Sequence, residues 1–354
     1  MSDKKEIQDS LVKADNITTS EEEFFSILKI VAPGTNLRTA LDGALSAGKG
    51  ALIVVENEYL LPIIDGGFRI NCKFTPQKLV ELTKMDGAII LSKDMKKIDY
   101  ANILLTPDSR IKTSETGTRH KAAERTAKQI KTLTIAISER RGQITLYYKN
   151  IRYPIRDSSE LLRKAGEYIQ LLEKQRELFD NYVERLNKAE IQNHVNLPLA
   201  IVIIQKGMLI QRIAEDLKRY IVELGKEGTL LKIRLKEIKG GVEKETDLVI
   251  KDYNQLDLRK SKLFLEGLSY DETLDDQKVT SALGYETHTR TEPVQGWRIL
   301  SKTSLIEQEA ALVINQLGSI NEILQADVSK FNMILGQEKA SIFKDELEKI
   351  RIGN

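Results

Sequence analysis

The sequence predicts an α/β domain, with a mixed sheet flanked by helices, followed by an all-α spine and a small helical domain. Short apolar runs alternate with helical patterns up to about residue 150, and apolar residues then recur at spacings of three and four. A separate set of short helical patterns follows residue 285. The predicted domains comprise residues 1–150, 151–286 and 287–354. This division suits the length of the chain, because single cores seldom grow beyond about 250 to 300 residues.

Apolar runs and turn residues predict the elements of the first domain. A polar, charged lead-in covers residues 1–22, and helical spacing follows over residues 24–30 and 37–47. Strands are expected over residues 51–55, 87–91, 103–105, 133–138 and 143–148. Turns are expected at residues 65–67 and 141–142, and a run rich in Ala, Glu, Lys and Gln predicts a helix over residues 119–131.

Two long amphipathic helices are predicted for the spine, over residues 158–191 and 197–224. Pro198 separates them, because proline disfavours helix for the residue before it. Residues 225–276 are charged and less periodic, so only an extension of the spine is predicted there. Short helices are expected near residues 306–317, 319–324 and 338–350.

Composition excludes several classes of protein. With 54 basic and 52 acidic residues, the chain is poorly suited to coating nucleic acid. The single cysteine, Cys72, cannot form an internal disulfide, no leader-like segment begins the sequence, and no apolar run approaches the roughly 20 residues of a membrane span. We therefore expect a cytoplasmic protein without a membrane partner. His120, His194 and His288 are too scattered for a structural zinc site.

One segment has the features of a phosphate-binding turn: Gly117-Thr118-Arg119-His120-Lys121 opens the helix predicted over residues 119–131. A helix N-terminus presents unpaired N–H donors, glycine allows close approach of an oxyanion, and arginine adds a planar fork for two oxygens. The alternative interpretation is a basic, solvated helix start with a Ser or Thr cap.

A second segment, Asp86-Gly87-Ala88, lies at the mouth of a predicted apolar strand. A carboxylate there can hold a hard divalent cation or polarise a hydroxyl, and Gly87 leaves room for a nucleotide. The alternative is that Asp-Gly is simply a turn.

Together, and in this order, the two segments resemble the diadenylate cyclase family. The resemblance extends to Ile64-Asp65-Gly66-Gly67-Phe68, to Leu104-Leu105 before Pro107-Asp108, and to Ser138-Glu139-Arg140. A spine and a terminal helix-hairpin-helix domain after the cyclase domain are also similar to members of that family.

The resemblance implies a role for each residue of the site. Asp86, Arg119 and His120 would be catalytic, with Asp86 and His120 contacting Mg²⁺ or Mn²⁺ so that the 3′-hydroxyl of one ATP attacks the α-phosphorus of the other. The implied substrate-binding residues are Gly87, Ala88, Leu105, Gly117, Thr118, Lys121, Ser138 and Glu139. Lys121 departs from the family pattern, which commonly has a second arginine there, so the charge is kept and the bidentate fork is lost.

The product that the resemblance implies, cyclic di-AMP, demands an oligomer. Closing a two-fold symmetric ring requires two ATP molecules presented in opposite directions, so two cyclase domains must face each other. The minimum assembly is a face-to-face dimer, and the resemblance implies an octamer of two opposed tetramers.

The C-terminal domain resembles a helix-hairpin-helix module that binds branched DNA, which could regulate turnover. Two features weaken that interpretation: Ile334 stands where a glycine of the second hairpin is expected, and residues 287–354 contain eight basic and nine acidic side chains. Two alternatives to an active cyclase stay open, a DNA-junction-binding scaffold with a non-catalytic, nucleotide-sensing N-terminal domain and an oligomeric structural hub.

Overall fold

The structure, a computed structural model, describes residues 23–286 and 293–352. The predicted lead-in over residues 1–22 and His288 lie outside the described residues. Contacts divide the chain into two compact units. The first extends to Ala165 and includes the separate segment Lys218–Lys232, and the second comprises Gly166–Leu217 and the chain from Ile233 onward. The predicted boundaries at residues 150 and 286 differ from this division, because the two long helices each contribute to both units.

Eight strands form a mixed sheet in the first unit: β1 (Ala51–Val55), β2 (Ile64–Asp65), β3 (Phe68–Lys73), β4 (Ala88–Leu91), β5 (Lys97–Leu105), β6 (Thr134–Ser138), β7 (Gln143–Tyr148) and β8 (Ile151–Pro154). Their order is β2-β5-β4-β1-β6-β7-β8, with β3 paired to β5. β1 and β4 run parallel, with Leu52 opposite Ala88. The remaining pairings among these strands are antiparallel.

Four helices cover the two faces of the sheet: α1 (residues 23–30), α2 (Asn36–Ser46), α3 (Pro76–Leu82) and α4 (Thr118–Ile130). Successive side chains of β1 point to opposite faces, because the side-chain period of a strand is two. Ile53 packs with residues of α1 and α2 such as Leu28 and Leu41. Leu52 and Val54 belong to the other cluster, which includes Ala123 and Ala127 of α4. The predicted α/β domain is confirmed.

The helices after the sheet are α5 (Ser158–Ile191), α6 (Leu197–Leu224), α7 (Thr229–Lys239), α8 (Val242–Tyr253), α9 (Leu258–Gly267), α10 (Tyr270–Thr273), α11 (Asp276–Ala282), α12 (Trp297–Leu300), α13 (Glu307–Leu317), α14 (Ile320–Gln325), α15 (Val328–Leu335) and α16 (Gln337–Ile352). By length and composition, the stretch Leu197–Tyr253 could cross a bilayer, and 61% of its most apolar window is buried. Buried core helices meet the same criterion, so this stretch is weak support for a membrane span.

A buried polar cluster in the second unit holds the start of α12 against α5 and α8. The carboxylate of Asp252 accepts hydrogen bonds from the backbone N–H groups of Gly296, Trp297 and Arg298, each at 2.9 Å. The guanidinium of Arg298 is fully buried and pairs with Glu190 and with Glu245. Burial, and then the neighbouring carboxylate of Glu190, raise the pKa of Asp252 to about 7.

Candidate active site

Strand pairing brings the two predicted motifs to one edge of the sheet. β6 runs antiparallel to β1 with Ile137 opposite Ala51, so the end of β6 at Ser138 lies beside the start of β1. β4 runs parallel to β1, which places Asp86 and Gly87, the residues before β4, at the same edge. The site therefore lies at the amino ends of the two parallel strands and not at their carboxyl ends, where ligands of parallel α/β sheets usually bind.

Helix α4 begins at this edge with its backbone donors open. Gly117 occupies the N-cap position, no side chain caps the helix there, and its first turn contains no acidic residue. The first intrahelical bond of the turn runs from the N–H of Lys121 to the carbonyl of Gly117, at 2.9 Å. An N-terminus of this kind attracts anions, because its N–H groups and the positive end of the helix dipole point outward.

An open depression of about 470 Å³ forms between the start of α4 and the end of β6. Its lining residues are Gly117, Thr118, Arg119, His120, Ile137, Ser138, Glu139 and Arg140. Six of these were predicted as site residues, and the structure brings them together. Arg140 was not assigned a role from the sequence, although it follows Ser138-Glu139 directly. With two arginines against one glutamate, the lining favours an anionic ligand.

Arg119 connects the depression to Asp86. One guanidinium nitrogen lies 3.6 Å from a carboxylate oxygen of Asp86, whose side chain is 98% exposed. Arg119 also passes over Gly50, the residue before β1, so closely that a Cβ on Gly50 would lie 2.6 Å from the other terminal nitrogen of Arg119. The sequence indicated Gly50 only as the start of a strand.

Gly87 is required by its conformation and by its surroundings. Its φ is +86°, and an added Cβ would lie 2.8 Å from the carbonyl carbon of Asn102 and 2.9 Å from the carbonyl oxygen of Ile103. Both atoms are backbone atoms of β5 and cannot move aside easily. A side chain at this position would therefore shift Asp86 or break the pairing of β4 with β5.

The chain just before Gly117 is anchored by Glu115. Its carboxylate is nearly buried, accepts a hydrogen bond from the Tyr147 hydroxyl at 2.8 Å, and pairs with Arg152. Burial opposes ionisation of this carboxyl, but the hydrogen bonds from Arg152 and Tyr147 outweigh it, so the pKa of Glu115 is lowered. Sequence reasoning assigned Glu115 no role, because both of its partners belong to later strands.

A second anchor lies on α4 itself. The carboxylate of Glu124 accepts hydrogen bonds from the Thr113 hydroxyl and, at 3.3 Å, from the N–H of Ser114. Lys128 contacts the same carboxylate at 2.6 Å. The loop that leads into Gly117 is therefore fixed at both ends before any ligand binds.

His120 is half-buried and packs edge-to-face against Tyr147, with ring centroids 6.3 Å apart. Burial lowers the pKa of His120, Arg141, Arg152 and Arg119 act in the same direction, and Glu115 opposes them. The imidazole is therefore mostly neutral near pH 7, the form that can accept a hydrogen bond or ligate a metal.

Asp86 and His120 suit a divalent cation that takes most of its ligands from substrate phosphates and water. Over residues 23–286 and 293–352, no group of three or more His, Cys, Asp or Glu side chains could hold a metal ion. Mg²⁺ is commonly bound through one or two carboxylates plus substrate phosphates and water. The exposed carboxylate of Asp86, with neutral His120 as the second predicted ligand, is consistent with that arrangement.

Four predicted substrate-binding residues lie outside the lining of the depression: Gly87, described above, and Ala88, Leu105 and Lys121. Ala88 and Leu105 are buried in the apolar cluster beneath α4, whereas the neighbouring Leu104 is 60% exposed. The side chains of Ala88 and Leu105 therefore belong to the core, so only their backbone atoms are open to a ligand, whereas on β5 the side chain of Leu104 is exposed. Lys121 is half-exposed on the first turn of α4 and does not line the depression.

Comparisons with known proteins match most of the chain. Residues 38–151 match the family described as DisA bacterial checkpoint controller nucleotide-binding, and residues 155–292 match the DisA bacterial checkpoint controller linker region.

Curated relatives match nearly the full length. The DNA integrity scanning protein DisA of Clostridium kluyveri is 40% identical over 341 residues, which cover 94% of this chain and 96% of that protein. The proteins of the same name from Acetivibrio thermocellus and Clostridioides difficile are each 38% identical, over 94% and 92% of this chain and 95% and 94% of their own lengths.

Proposed function

The chain belongs to the DNA integrity scanning protein DisA family, and from this membership we propose how its residues join two ATP molecules into cyclic di-AMP. The protein is a diadenylate cyclase. Its substrate is ATP, and the family implies a requirement for a divalent metal. The reaction forms two phosphodiester bonds and releases two pyrophosphates, so each chain must hold one triphosphate and present one 3′-hydroxyl.

We propose that the start of α4 binds the phosphates. The observation that carries this proposal is the uncapped N-terminus at Gly117, which opens into a depression lined by Thr118, Arg119 and Ser138. Backbone N–H groups and the Ser138 hydroxyl would hold phosphate oxygens. Arg119 would offset the negative charge that grows on the α-phosphate and the leaving pyrophosphate. Glu139 supports this set from the end of β6.

Asp86 and His120 are the residues that would hold the metal, Mg²⁺ or Mn²⁺. When bound, such an ion neutralises phosphate charge and makes a hydroxyl more acidic. Asp86 suits the task because its carboxylate is exposed at the edge of the sheet. In the structure this carboxylate lies 3.6 Å from Arg119. Binding of a nucleotide and its cation would replace this contact with two others, one between Arg119 and a phosphate and one between Asp86 and the cation.

The adenine would lie over the start of β4. Gly87 leaves that surface free of a side chain, and the exposed side chain of Leu104 on β5 offers an apolar contact. Leu105 would contribute there only through its backbone, since its side chain is in the core.

Ring closure supports an assembly of at least two chains face to face. One described chain has one depression with the proposed phosphate-binding residues, whereas the product contains two equivalent phosphodiesters. Two opposed sites supply each hydroxyl to the other α-phosphorus, which one site cannot do. The octamer and the cytoplasmic location stay predictions.

The direct test removes the carboxylate of Asp86. Asp86→Asn should lower kcat for cyclic di-AMP by about a hundredfold or more, because the amide can neither bind the cation strongly nor accept a proton. The assay is mass spectrometry of the products after incubation with ATP and Mg²⁺ or Mn²⁺. Asp94→Asn is the matched control, since Asp94 is another exposed carboxylate in a turn before a strand. Equal turnover by all three proteins would remove Asp86 from the mechanism.

Binding of branched DNA by the C-terminal helices stays a prediction. Gly318 and Gly336 have positive φ values in the turns after α13 and α15, which is compatible with hairpins that offer backbone N–H groups. The excess of acidic over basic residues from residue 287 onward does not favour phosphate binding. Salt-dependent binding to a four-way junction, absent with a duplex of the same length, would support the prediction.

A further inference from the structure

Gly50 lies buried at the start of β1, beneath the guanidinium of Arg119. A Cβ added to Gly50 would lie 2.6 Å from Nη1 of Arg119, 3.3 Å from its Cζ, and 3.3 Å from the carbonyl oxygen of Ile137. The φ of Gly50 is not in the left-handed region, so the backbone itself does not require glycine. What the missing side chain provides is space, and Arg119 fills that space.

We propose that Gly50 is a positioning residue for the reaction: its bare backbone face holds the guanidinium of Arg119 at the amino ends of β1 and β4. The inference rests on the proposed role of Arg119 in binding phosphate. It adds a residue that neither of the two sequence motifs contains, and it explains how a flexible arginine is placed before the substrate binds.

The ion pair with Asp86 is too weak to place Arg119 without help. Asp86 is 98% exposed and the separation is 3.6 Å, so water competes for both partners. Exposed pairs of this kind contribute little. Close packing against Gly50 restricts the guanidinium more strongly, because contact with backbone held at the entry to a strand leaves few alternative rotamers.

The two sides of this contact differ in how easily they move. Gly50 is followed directly by β1, whose first residue, Ala51, pairs with Ile137 of β6. Arg119 ends in a flexible side chain that is 40% exposed. A methyl group at position 50 would therefore displace the guanidinium and leave the sheet in place. A displacement of about 1 Å at a catalytic group can lower turnover by about a hundredfold.

The test is Gly50→Ala in the full-length protein. We expect kcat for cyclic di-AMP to fall by about 10- to 100-fold, with a smaller change in KM for ATP, because a misplaced arginine stabilises the transition state less than before. The thermal unfolding midpoint of Gly50→Ala should shift by no more than the midpoint of the control variant. Gly166→Ala is the matched control, since a Cβ at Gly166 of α5 meets nothing within 4 Å.

A double-mutant cycle separates positioning from a general structural effect. Arg119→Lys should lower kcat strongly in the wild-type background and much less in the Gly50→Ala background, because the arginine is already displaced there. ATP affinity, measured by calorimetry on the same four proteins, gives a second readout that does not depend on turnover. Unchanged kcat in Gly50→Ala, or equal loss from Arg119→Lys in both backgrounds, would overturn the inference. Full activity of Asp86→Asn would instead overturn the proposed site, whatever the Gly50 results.

Discussion

Glu115 links the turn at Gly117 to the sheet. Its carboxylate joins Tyr147 of β7 and Arg152 of β8, and the residue lies two positions before Gly117. The start of α4 can therefore present open N–H groups without a capping side chain, because the segment before it is held by the contacts of Glu115 with β7 and β8.

Removing this carboxylate should destabilise the first unit. Glu115→Ala leaves the buried Tyr147 hydroxyl without its acceptor, and we expect the free energy of unfolding to fall by about 1 to 3 kcal/mol. Chemical denaturation of the full chain measures it. Glu81→Ala is the control, since Glu81 is exposed and pairs with exposed Lys84, and it should cost at most about 0.5 kcal/mol. Equal losses in the two variants would show that Glu115 anchors nothing.

The sequence predicted those parts of the site that are contiguous. Gly117 to His120 form one motif at a helix start, and Ser138 follows a recognisable strand, so their grouping in one depression could be anticipated. The contact of Arg119 with Gly50 could not, because it depends on which strand lies next to α4. The exposure of Leu104 next to buried Leu105 could not be predicted for a similar reason: β5 pairs with β4 through register shifts, and a shift of one residue reverses the face.

Among the secondary-structure elements, the two longest helices were predicted most accurately. α5 and α6 begin and end at the predicted residues, since periodicity over 34 and 28 residues averages out local exceptions. The elements missed include α3, α15, β3 and β8, each of eight residues or fewer, and the helices α7, α8 and α9 were predicted only as an extension of the spine. α3 did carry a local signal, because Thr75 caps the helix and Pro76 occupies its first turn.

The link between α8 and α12 should make stability depend on pH. The folded pKa of Asp252, about 7, exceeds its ordinary value of 3.8, so the folded protein holds this proton more tightly than the unfolded chain. The stability it contributes is complete below about pH 4 and is lost as pH rises through 7, at about 1.4 kcal/mol for each pH unit.

Thermal unfolding of the full chain from about pH 5 to about pH 8 measures this dependence. Asp252→Asn has no proton to lose at this position, so its midpoint should fall less with rising pH than that of the wild type. The comparison uses the slopes, because the substitution also changes stability at every pH. Parallel curves for the two proteins would contradict the assignment.

At the scale of the whole molecule, the proposed pairing of two opposed sites predicts how mixed assemblies behave. Wild-type and Asp86→Asn chains with different tags, co-expressed at several ratios and purified through both tags, form assemblies that contain opposed pairs with one competent site. Such a pair can form the first phosphodiester bond and not the second. We expect cyclic di-AMP to fall faster than the fraction of wild-type chains, with accumulation of the linear dinucleotide, measured by mass spectrometry.

Co-expression with Asp94→Asn chains provides the control, because that substitution lies in the turn before β5 and should leave both sites competent. If cyclic product instead followed the wild-type fraction in simple proportion, with no linear intermediate, each chain would complete the ring alone. The face-to-face arrangement would then be abandoned.

The discontinuous first unit also has a consequence for biosynthesis. Its sheet is complete once β8 has been made, yet Val222 packs against its apolar cluster, Tyr153 donates to Glu223 at 2.5 Å, and the N–H of Lys226 bonds to the carbonyl of Pro33. These partners leave the ribosome only after about 70 further residues, which include α5 and most of α6. Until these residues are synthesised, part of the apolar surface of the sheet stays uncovered, and chaperones bind such surfaces at this stage.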